Sequence, residues 1–273
     1  MAVQGNVSRA AAPWAPRWWA VFLIGLVLWL ATIGAGSLTG NLIILPTIVL
    51  LGSFLVPVTA VVWYLDHDSS PELSPRRIVT AFIVAGVIGV LGASVLEYYL
   101  ITVGLLGTLE VGVVEELVKA ILIVAMAWGI RSFHLRDGMV LGATVGFGFA
   151  ALESSGYALA SLFVVYQHRL YLSLDSVVFT ELIRGVLAPF GHGAWSAVVG
   201  GALFAAARRS GHITLSRGVV GAFILVAVLH AVFDSLSSVA GYVLIALIGL
   251  VPLIVLWRRG KREDVVAPAS YFR

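Results

Sequence analysis

Long apolar runs alternate with short polar segments along almost the whole chain. A helix that rises about 1.5 Å per residue needs about 20 apolar residues to cross a bilayer core about 30 Å thick. Eight runs approach or exceed that length, at residues 18–34, 42–65, 78–103, 111–130, 138–166, 174–207, 219–236 and 241–257. The pattern predicts an all-α, polytopic membrane bundle of about eight transmembrane helices. Residues 18–257 would form the membrane domain, and residues 1–17 and 258–273 would be its tails.

Two of these runs have features that an ordinary transmembrane helix lacks. The first follows Arg9 and Arg17 and so resembles a signal peptide, but its length and the poor cleavage sequence after it favour a retained helix. The run at 174–207 would reach about 50 Å as a straight helix, which exceeds the bilayer core. We therefore expect a bend near Pro189, with residues 174–188 at or above the outer membrane surface.

The basic residues indicate how the chain is oriented in the membrane. With the N-terminus in the cytoplasm, all but three of the 17 Lys and Arg residues fall in cytoplasmic segments. The exceptions are Arg169 in an outer loop and Lys119 and Arg184 within helical runs. Because cytoplasmic loops carry an excess of Lys and Arg, both termini are predicted to be cytoplasmic. The short arginine-containing loops and the small size favour a prokaryotic plasma membrane.

The composition agrees with a membrane protein and excludes several other classes. The chain is 60% hydrophobic and 11% charged, and its mean hydropathy of +1.03 lies far outside the range of soluble domains. It contains no Cys, which excludes disulfides, thiolate catalysis and cysteine-based metal sites. The pI of about 9.4 comes from arginines spread over short loops, so no nucleic-acid partner is expected.

The run at 111–130 contains charged residues that burial alone does not explain. Glu115, Glu116 and Lys119 lie within it, although a charge near the centre of a membrane helix costs roughly 2.5 to 3.5 kcal/mol. In a helix, Glu115 and Lys119 are one turn apart and can pair, whereas Glu116 is turned about 100° away and is expected to lack a local cation. Glu116 is therefore the better candidate for a general base, with Glu115 in an orienting role.

Further polar and aromatic residues in the later runs are predicted to lie at a similar depth. They are Phe149, Glu153, Tyr157, Arg184, His192, His230 and Asp234. Counted at about 1.5 Å per residue from the inner helix ends, the acids and histidines lie about 18 to 24 Å up, in the outer half of the core. Arg184 would lie near the mouth of this layer, where it could neutralise a carboxylate or contact an anionic part of a substrate.

Each of these residues also has a structural interpretation. A single membrane His often bonds to a neighbouring helix, and His230 and Asp234 could simply satisfy each other. Glu97 is expected at the membrane interface, and Gly142, Gly146 and Gly148 are expected to allow close helix packing. The convergence of several acids and two histidines at one depth nevertheless favours a functional site.

Four motifs resemble those of the PrsW-like intramembrane proteases, which are distant relatives of the type II CAAX prenyl endopeptidases. The motifs are Glu115-Glu116-Leu-Val-Lys119, Phe149-Ala-Ala-Leu-Glu153 with Tyr157, Pro189-Phe-Gly-His192-Gly-Ala-Trp195, and His230-Ala-Val-Phe-Asp234. They occur in family order within residues 111–236, and the resemblance covers roughly the last two thirds of the chain. Ser154 stands where the family pattern has Asn.

The resemblance implies an intramembrane protease that cleaves membrane-anchored proteins near the extracytoplasmic side. For the protein that gives the family its name the substrate is an anti-sigma factor, so a single-pass substrate of that kind is expected. The implied catalytic residues are Glu115, Glu116, Glu153, His192, His230 and Asp234, with Lys119, Phe149, Tyr157 and Arg184 orienting or binding the substrate. The family is described as metalloproteases, and a zinc site would use His192, His230 and Glu153. In a metal-free alternative, Glu115 or Glu116 deprotonates a water.

Two other functions are compatible with the same residues. A proton-coupled transporter or channel also uses intramembrane Glu, His and Arg. No inverted repeat is visible, however, and the acids occupy one level where a proton relay would cross the bilayer. A catalytically inactive binding protein with the same fold is the second alternative.

Overall fold

A computed structural model of the chain describes residues 17–67, 70, 72–101, 106–187 and 189–266. The α-helices are α1 (Trp18–Thr39), α2 (Leu45–His67), α3 (Pro75–Val84), α4 (Val90–Leu100), α5 (Gly107–Met126), α6 (Leu135–Ser161), α7 (Leu174–Leu187), α8 (Ala194–Ser210), α9 (Arg217–Asp234) and α10 (Val239–Val266). A π-helical segment at Ala85–Gly89 joins α3 to α4, another at Pro189–Gly193 leads into α8, and a 3₁₀ turn at Leu42–Ile44 leads into α2. The predicted all-α bundle is confirmed, since 83% of the residues are helical.

Seven helical stretches of the described chain are long and apolar enough to cross a membrane. They correspond to seven of the eight predicted runs. The eighth is α5, which is less apolar because it carries Glu110, Glu115, Glu116 and Lys119. It nevertheless packs into the bundle, mainly against α9. The chain is therefore an integral membrane protein.

One predicted boundary is wrong, and one helix extends beyond its predicted run. The helix expected over 138–166 ends at Ser161, and the chain then forms an antiparallel hairpin of β1 (Phe163–Tyr166) and β2 (Arg169–Leu172). Its turn residues Gln167 and His168 have φ of 48° and 62°, as a two-residue type I′ turn requires. Helix α10 continues to Val266, so residues 258–266, expected as part of the cytoplasmic tail, are helical. Residues 1–16 and 267–273 of the expected tails lie outside the described residues.

The contact between α6 and α8 forms the centre of the bundle. Three glycines of α6, spaced one turn apart, lie directly against the backbone of α8 and the residues before it. The pairs in contact are Gly138 with Gly200, Gly142 with Ser196, and Gly146 with His192. A Cβ atom at any of these glycines would overlap the facing backbone, so glycine allows the close approach. The predicted packing role is confirmed, and it sets the position of His192.

The helix that carries His192 is broken, as the sequence predicts. Gly191, within the π-helical segment Pro189–Gly193, has φ −92° and ψ −111°, which lies outside the helical region. The break separates α7 from α8 and places His192 directly before the first turn of α8. Irregular segments of this kind are frequent at functional sites.

Helix α7 packs against α2 and α6 as part of the bundle. Its buried Glu181 accepts hydrogen bonds from Trp29 Nε1 at 2.9 Å and from Ser53 Oγ at 3.3 Å. Trp29 lies about 15 Å along the helix axis from the end of α1. This differs from the expected position of residues 174–188 at or above the outer surface, because polar partners in α1 and α2 draw α7 into the bundle.

Candidate active site

Three charged residues of α5 are buried together. Lys119 Nζ lies 2.6 Å from Glu116 Oε1 and 3.4 Å from Glu115 Oε2. The same ammonium lies 2.9 Å from His192 Nδ1 and 4.5 Å from the centroid of the Phe149 ring. Because Lys119 is fully buried, these groups replace the water that its charge loses on burial.

The expected pair of Glu115 with Lys119 is confirmed, but the expectation that Glu116 lacks a local cation is wrong. The sequence assigns Lys119 to Glu115 at the i,i+4 spacing, but Glu116 at i,i+3 is the closer partner. Both spacings bring side chains together on a helix, so the neighbouring helix α9 makes the difference. There, His230 Nδ1 lies 2.9 Å from the same Oε1 atom of Glu116. Glu116 is therefore enclosed by two partners and does not lack a cation.

The two histidines approach Glu115 from separate helical segments. His230 Nε2 lies 3.6 Å from Glu115 Oε2 and 3.4 Å from Asp234 Oδ2. His192 Nδ1 lies 3.9 Å from Glu115 Oε2, while its Nε2 lies 3.0 Å from Glu153 Oε2. The two imidazoles meet edge to face with their centroids 5.1 Å apart. One carboxylate oxygen of Glu115 is thus shared by both rings.

Glu153 of α6 forms an ion pair with Arg184 of α7. Arg184 Nη2 lies 2.6 Å from Glu153 Oε2, and its Nε donates a hydrogen bond of 2.8 Å to Ser154 Oγ. The guanidinium carbon lies 4.2 Å from the centroid of the Tyr157 ring. Arg184 therefore neutralises a carboxylate, as expected, and Ser154 supplies a hydrogen bond at the position where the family pattern has Asn.

Two cavities reach the cluster of acids and histidines around Glu115 from different sides. The larger has a volume of about 390 Å³, and its polar lining includes Glu153, Tyr157, Arg184, His192 and Asp234. The smaller has a volume of about 310 Å³ and is lined by Glu97, Glu115, Phe149, Glu153 and Tyr157 among others. Glu115 and Asp234 therefore border space that water or a peptide can occupy. Glu116 and Lys119, in contrast, line neither cavity.

Glu97 belongs to this cluster, although the sequence indicates an interfacial position for it. Its carboxylate shares the smaller cavity with Glu115, and its Oε1 is buried without a hydrogen-bond partner among the described residues. The next residues, Tyr98 and Tyr99, are 82% and 77% exposed, as expected at an interface. Counting the rise from Pro75 places Glu97 about 33 Å up, so depth alone does not reveal its role.

Trp195 lies beside both histidines and has no role in the sequence interpretation beyond its place in a motif. Its ring centroid lies 5.3 Å from that of His230 and 6.1 Å from that of His192. The side chain is 1% exposed, and within the described structure its Nε1 has no hydrogen-bond partner. A tryptophan in an apolar run carries no sequence signal for such a position, which depends on how α8 meets α9.

The donor atoms of Glu115, His192 and His230 all lie within 4.8 Å of one another, so this buried group could hold a metal ion. The set differs from the expected one, in which Glu153 took the place of Glu115. Each histidine directs one nitrogen toward Glu115 and the other toward a second carboxylate, Glu153 for His192 and Glu116 for His230. Metal-binding histidines commonly have such a partner, so the residues fit a metal.

Comparison with known proteins identifies the family. Residues 74–257, about two thirds of the chain, match the family model described as PrsW family intramembrane metalloprotease. No curated protein and no solved structure gives a significant match. The matched region includes α3 to α9, and with them every residue of the cluster. The chain therefore belongs to the PrsW family of intramembrane metalloproteases and is a membrane-embedded peptidase.

Proposed function

We propose that the protein hydrolyses a peptide bond of a membrane-anchored protein at the cluster around Glu115. The observation that carries this proposal is the position of Glu115 Oε2, 3.6 Å from His230 Nε2 and 3.9 Å from His192 Nδ1, at the edge of a cavity. A carboxylate in this position is suited to take the proton of a water that attacks a carbonyl carbon. Glu116, enclosed by Lys119 and His230, is better suited to orient the histidine, so the roles expected for the two glutamates are exchanged.

The other polar residues position the two histidines and balance charge. Glu116 contacts Nδ1 of His230, and Glu153 contacts Nε2 of His192. Both nitrogens face away from Glu115, and these contacts set the orientation of the two rings. Lys119 offsets the charge of the two glutamates on α5, and Phe149 packs against its ammonium. Glu116 and Lys119 line neither cavity, so they support Glu115 without contacting a substrate.

Asp234, Arg184 and Tyr157 are placed to meet the substrate. The side chain of Asp234 is 34% exposed and lies beside His230. Asp234 also lines the larger cavity. Arg184, stacked on Tyr157, lines the same cavity, where its guanidinium could receive negative charge that develops on the carbonyl oxygen or an anionic part of the peptide.

Zinc is the metal that we propose for this site. Two histidines and one glutamate form a known catalytic zinc set, and Glu115, His192 and His230 would supply it. With zinc bound, Glu115 would be a ligand, so its role as proton acceptor belongs to the metal-free form of the site. When bound, zinc would polarise a water molecule and the scissile carbonyl group. Lys119 Nζ lies 2.9 Å from His192 Nδ1, so zinc binding would require this ammonium to move away from that nitrogen.

The substrate is proposed to be a single-pass protein, such as one resembling an anti-sigma factor, that is cut near the extracytoplasmic surface of a prokaryotic plasma membrane. The distribution of loop arginines supports cytoplasmic termini and hence this side. An unfolded peptide is tolerated at membrane depth only where protein surrounds it, and the two cavities provide such a place. Neither a transporter nor an inactive binding protein gains support from the family match.

The proposal is tested by co-expressing the chain with candidate single-pass proteins and resolving cleavage products on a gel. Wild-type protein should release a product that Glu115→Gln does not, at equal abundance in the membrane. Glu72→Gln, which changes a glutamate in the polar segment before α3, serves as the matched control and should cleave normally. Normal cleavage by Glu115→Gln would overturn the proposal.

The zinc assignment is tested separately on purified protein. Metal content should be close to one zinc per chain, and a chelator should remove zinc and cleavage together. His192→Ala and His230→Ala should each lose bound zinc, which a purely structural hydrogen bond would not predict. Full activity of the metal-free protein would refute the zinc proposal and leave the role of Glu115 standing.

A further inference from the structure

A third cavity lies in the other half of the bundle, away from the acid and histidine cluster. It has a volume of about 480 Å³ and lies between α2, α6, α8 and α10. Along α6 it extends from Arg136 to Phe147, whereas the cluster occupies the part of α6 from Phe149 to Tyr157. The peptidase site therefore does not use it.

The length of this cavity corresponds to one leaflet of a bilayer. Arg136 and Phe147 are separated by about 16 Å along the axis of α6, and half of a hydrocarbon core is about 15 Å. Arg136 precedes the apolar part of α6 and Phe147 lies near its middle. The cavity therefore runs from the headgroup level to the centre of the membrane.

The lining changes from apolar to basic along this length. Most of the wall is apolar, including Val140, Ala143 and Phe147. The end at headgroup level holds the side chains of Arg136 and Arg258. The end at headgroup level is therefore complementary to an anion, and the inner part is complementary to a hydrocarbon chain.

Aromatic residues at the basic end match the same level of the membrane. The guanidinium carbon of Arg136 lies 4.7 Å from the centroid of the Trp257 ring, and Trp63 stacks on His67 with centroids 5.2 Å apart. All four residues line the cavity. Tryptophan is enriched where a membrane protein passes through the headgroup region, so this end lies at the interface.

We propose that this cavity binds one anionic phospholipid of the leaflet at this end of the bundle. The phosphate would contact Arg136 and Arg258, and an acyl chain would extend along α6 to Phe147. Basic pockets between transmembrane helices are suited to anionic headgroups. A phosphate and an acyl chain match this division into a basic end and an apolar wall, whereas an apolar substrate helix has no group for the two arginines to bind.

The test uses the full chain, purified in detergent and examined by native mass spectrometry with added phosphatidylglycerol or phosphatidylcholine. Wild-type protein should retain one phosphatidylglycerol and should bind phosphatidylcholine at least about tenfold more weakly. Arg136→Gln and Arg258→Gln should each weaken phosphatidylglycerol binding about fivefold, and both together about thirtyfold. Arg209→Gln, an exposed arginine outside the cavity, should bind as wild type does.

Two further measurements separate a lipid site from a simple anion site. Glycerol phosphate, which has the headgroup charge but no acyl chain, should not compete with the lipid at equal concentration. Ala143→Trp, which fills the cavity and leaves both arginines unchanged, should lose the bound lipid. Equal binding of both lipids, undiminished binding by the double arginine variant, or full competition by glycerol phosphate would each overturn the proposal.

Discussion

Two adjacent glutamates on α5 lie in different environments. Glu116 contacts Lys119 and His230 and is closed off from both cavities, whereas Glu115 lies between the two histidines and borders one cavity. A change at either position is therefore expected to have a different effect. A change at Glu115 should lower the rate of cleavage. A change at Glu116 should lower the stability of the fold as well as the rate.

Glu115→Gln should lower the rate of cleavage by at least about 100-fold while leaving membrane abundance normal, because it removes a proton acceptor. Glu116→Gln should lower both rate and abundance, since Lys119 loses its closest anion. The measurements are the amount of product per folded protein and thermal unfolding in detergent. Equal and mild effects in the two variants would contradict this division of roles.

A double variant tests the buried ion pair directly. Removing one partner of such a pair costs about 3 to 5 kcal/mol, because the other charge remains buried without compensation. Glu116→Gln combined with Lys119→Met removes both charges and should therefore regain much of the stability lost in Glu116→Gln. Thermal unfolding of wild type, Glu116→Gln, Lys119→Met and the double variant measures this coupling, and additive losses would show that the two charges act independently.

At the scale of residues, the sequence predicts which side chains converge but not how they pair. Polar residues in apolar runs are conspicuous, and helical rise gives their depth. The choice between Glu115 and Glu116 as the partner of Lys119 depends on His230, which is 114 residues away from Glu116. Counting the helical rise places Glu97 higher in the membrane than the other acids and histidines, so the sequence does not predict that it joins them.

At the scale of helices, α6 organises the site because its glycines bring α8 close. Gly142→Ala places a methyl group against the backbone of Ser196, so it should destabilise the protein by about 1 to 3 kcal/mol. Gly156→Ala, on the same helix, meets no atom within 4 Å and should be neutral or stabilising by about 0.5 to 1 kcal/mol. Melting temperatures in detergent compare the two, and equal shifts would show that α6 and α8 can separate.

The helices themselves follow from hydropathy, and the irregular elements do so only in part. Pro189 signals the break before α8, since proline cannot continue a helix undisturbed. The hairpin at 163–172 is not predicted, because β1 is apolar and extends the preceding run, and β2 falls in the short outer loop that contains Arg169. Its turn uses Gln167 and His168, where the usual signal for such a turn is Asn-Gly or Asp-Gly. Hydropathy also cannot reveal that Glu181 ties α7 to α1 and α2.

At the scale of the whole molecule, the orientation decides which side supplies water and substrate. The chain contains no Cys, so single cysteines can report on access. The larger cavity is lined by Ile183, Leu187 and Gly191, among others. A cysteine at any of these three positions should react with an impermeant thiol reagent added outside intact cells. Val228→Cys, an exposed α9 position outside both cavities, is the control and should stay unlabelled within lipid. Labelling of the cavity only from the cytoplasmic side would reverse the orientation.

The pairing between α5 and α9 has a consequence for biosynthesis. Glu116 leaves the ribosome 114 residues before His230, which is about 6 to 23 s at 5 to 20 residues per second. During that interval α5 holds its charges with only Lys119 as a local counterion, and membrane insertion of such a helix by itself is unfavourable. We therefore expect helix α5 to stay at the insertion machinery, or at the membrane surface, until α9 has been made.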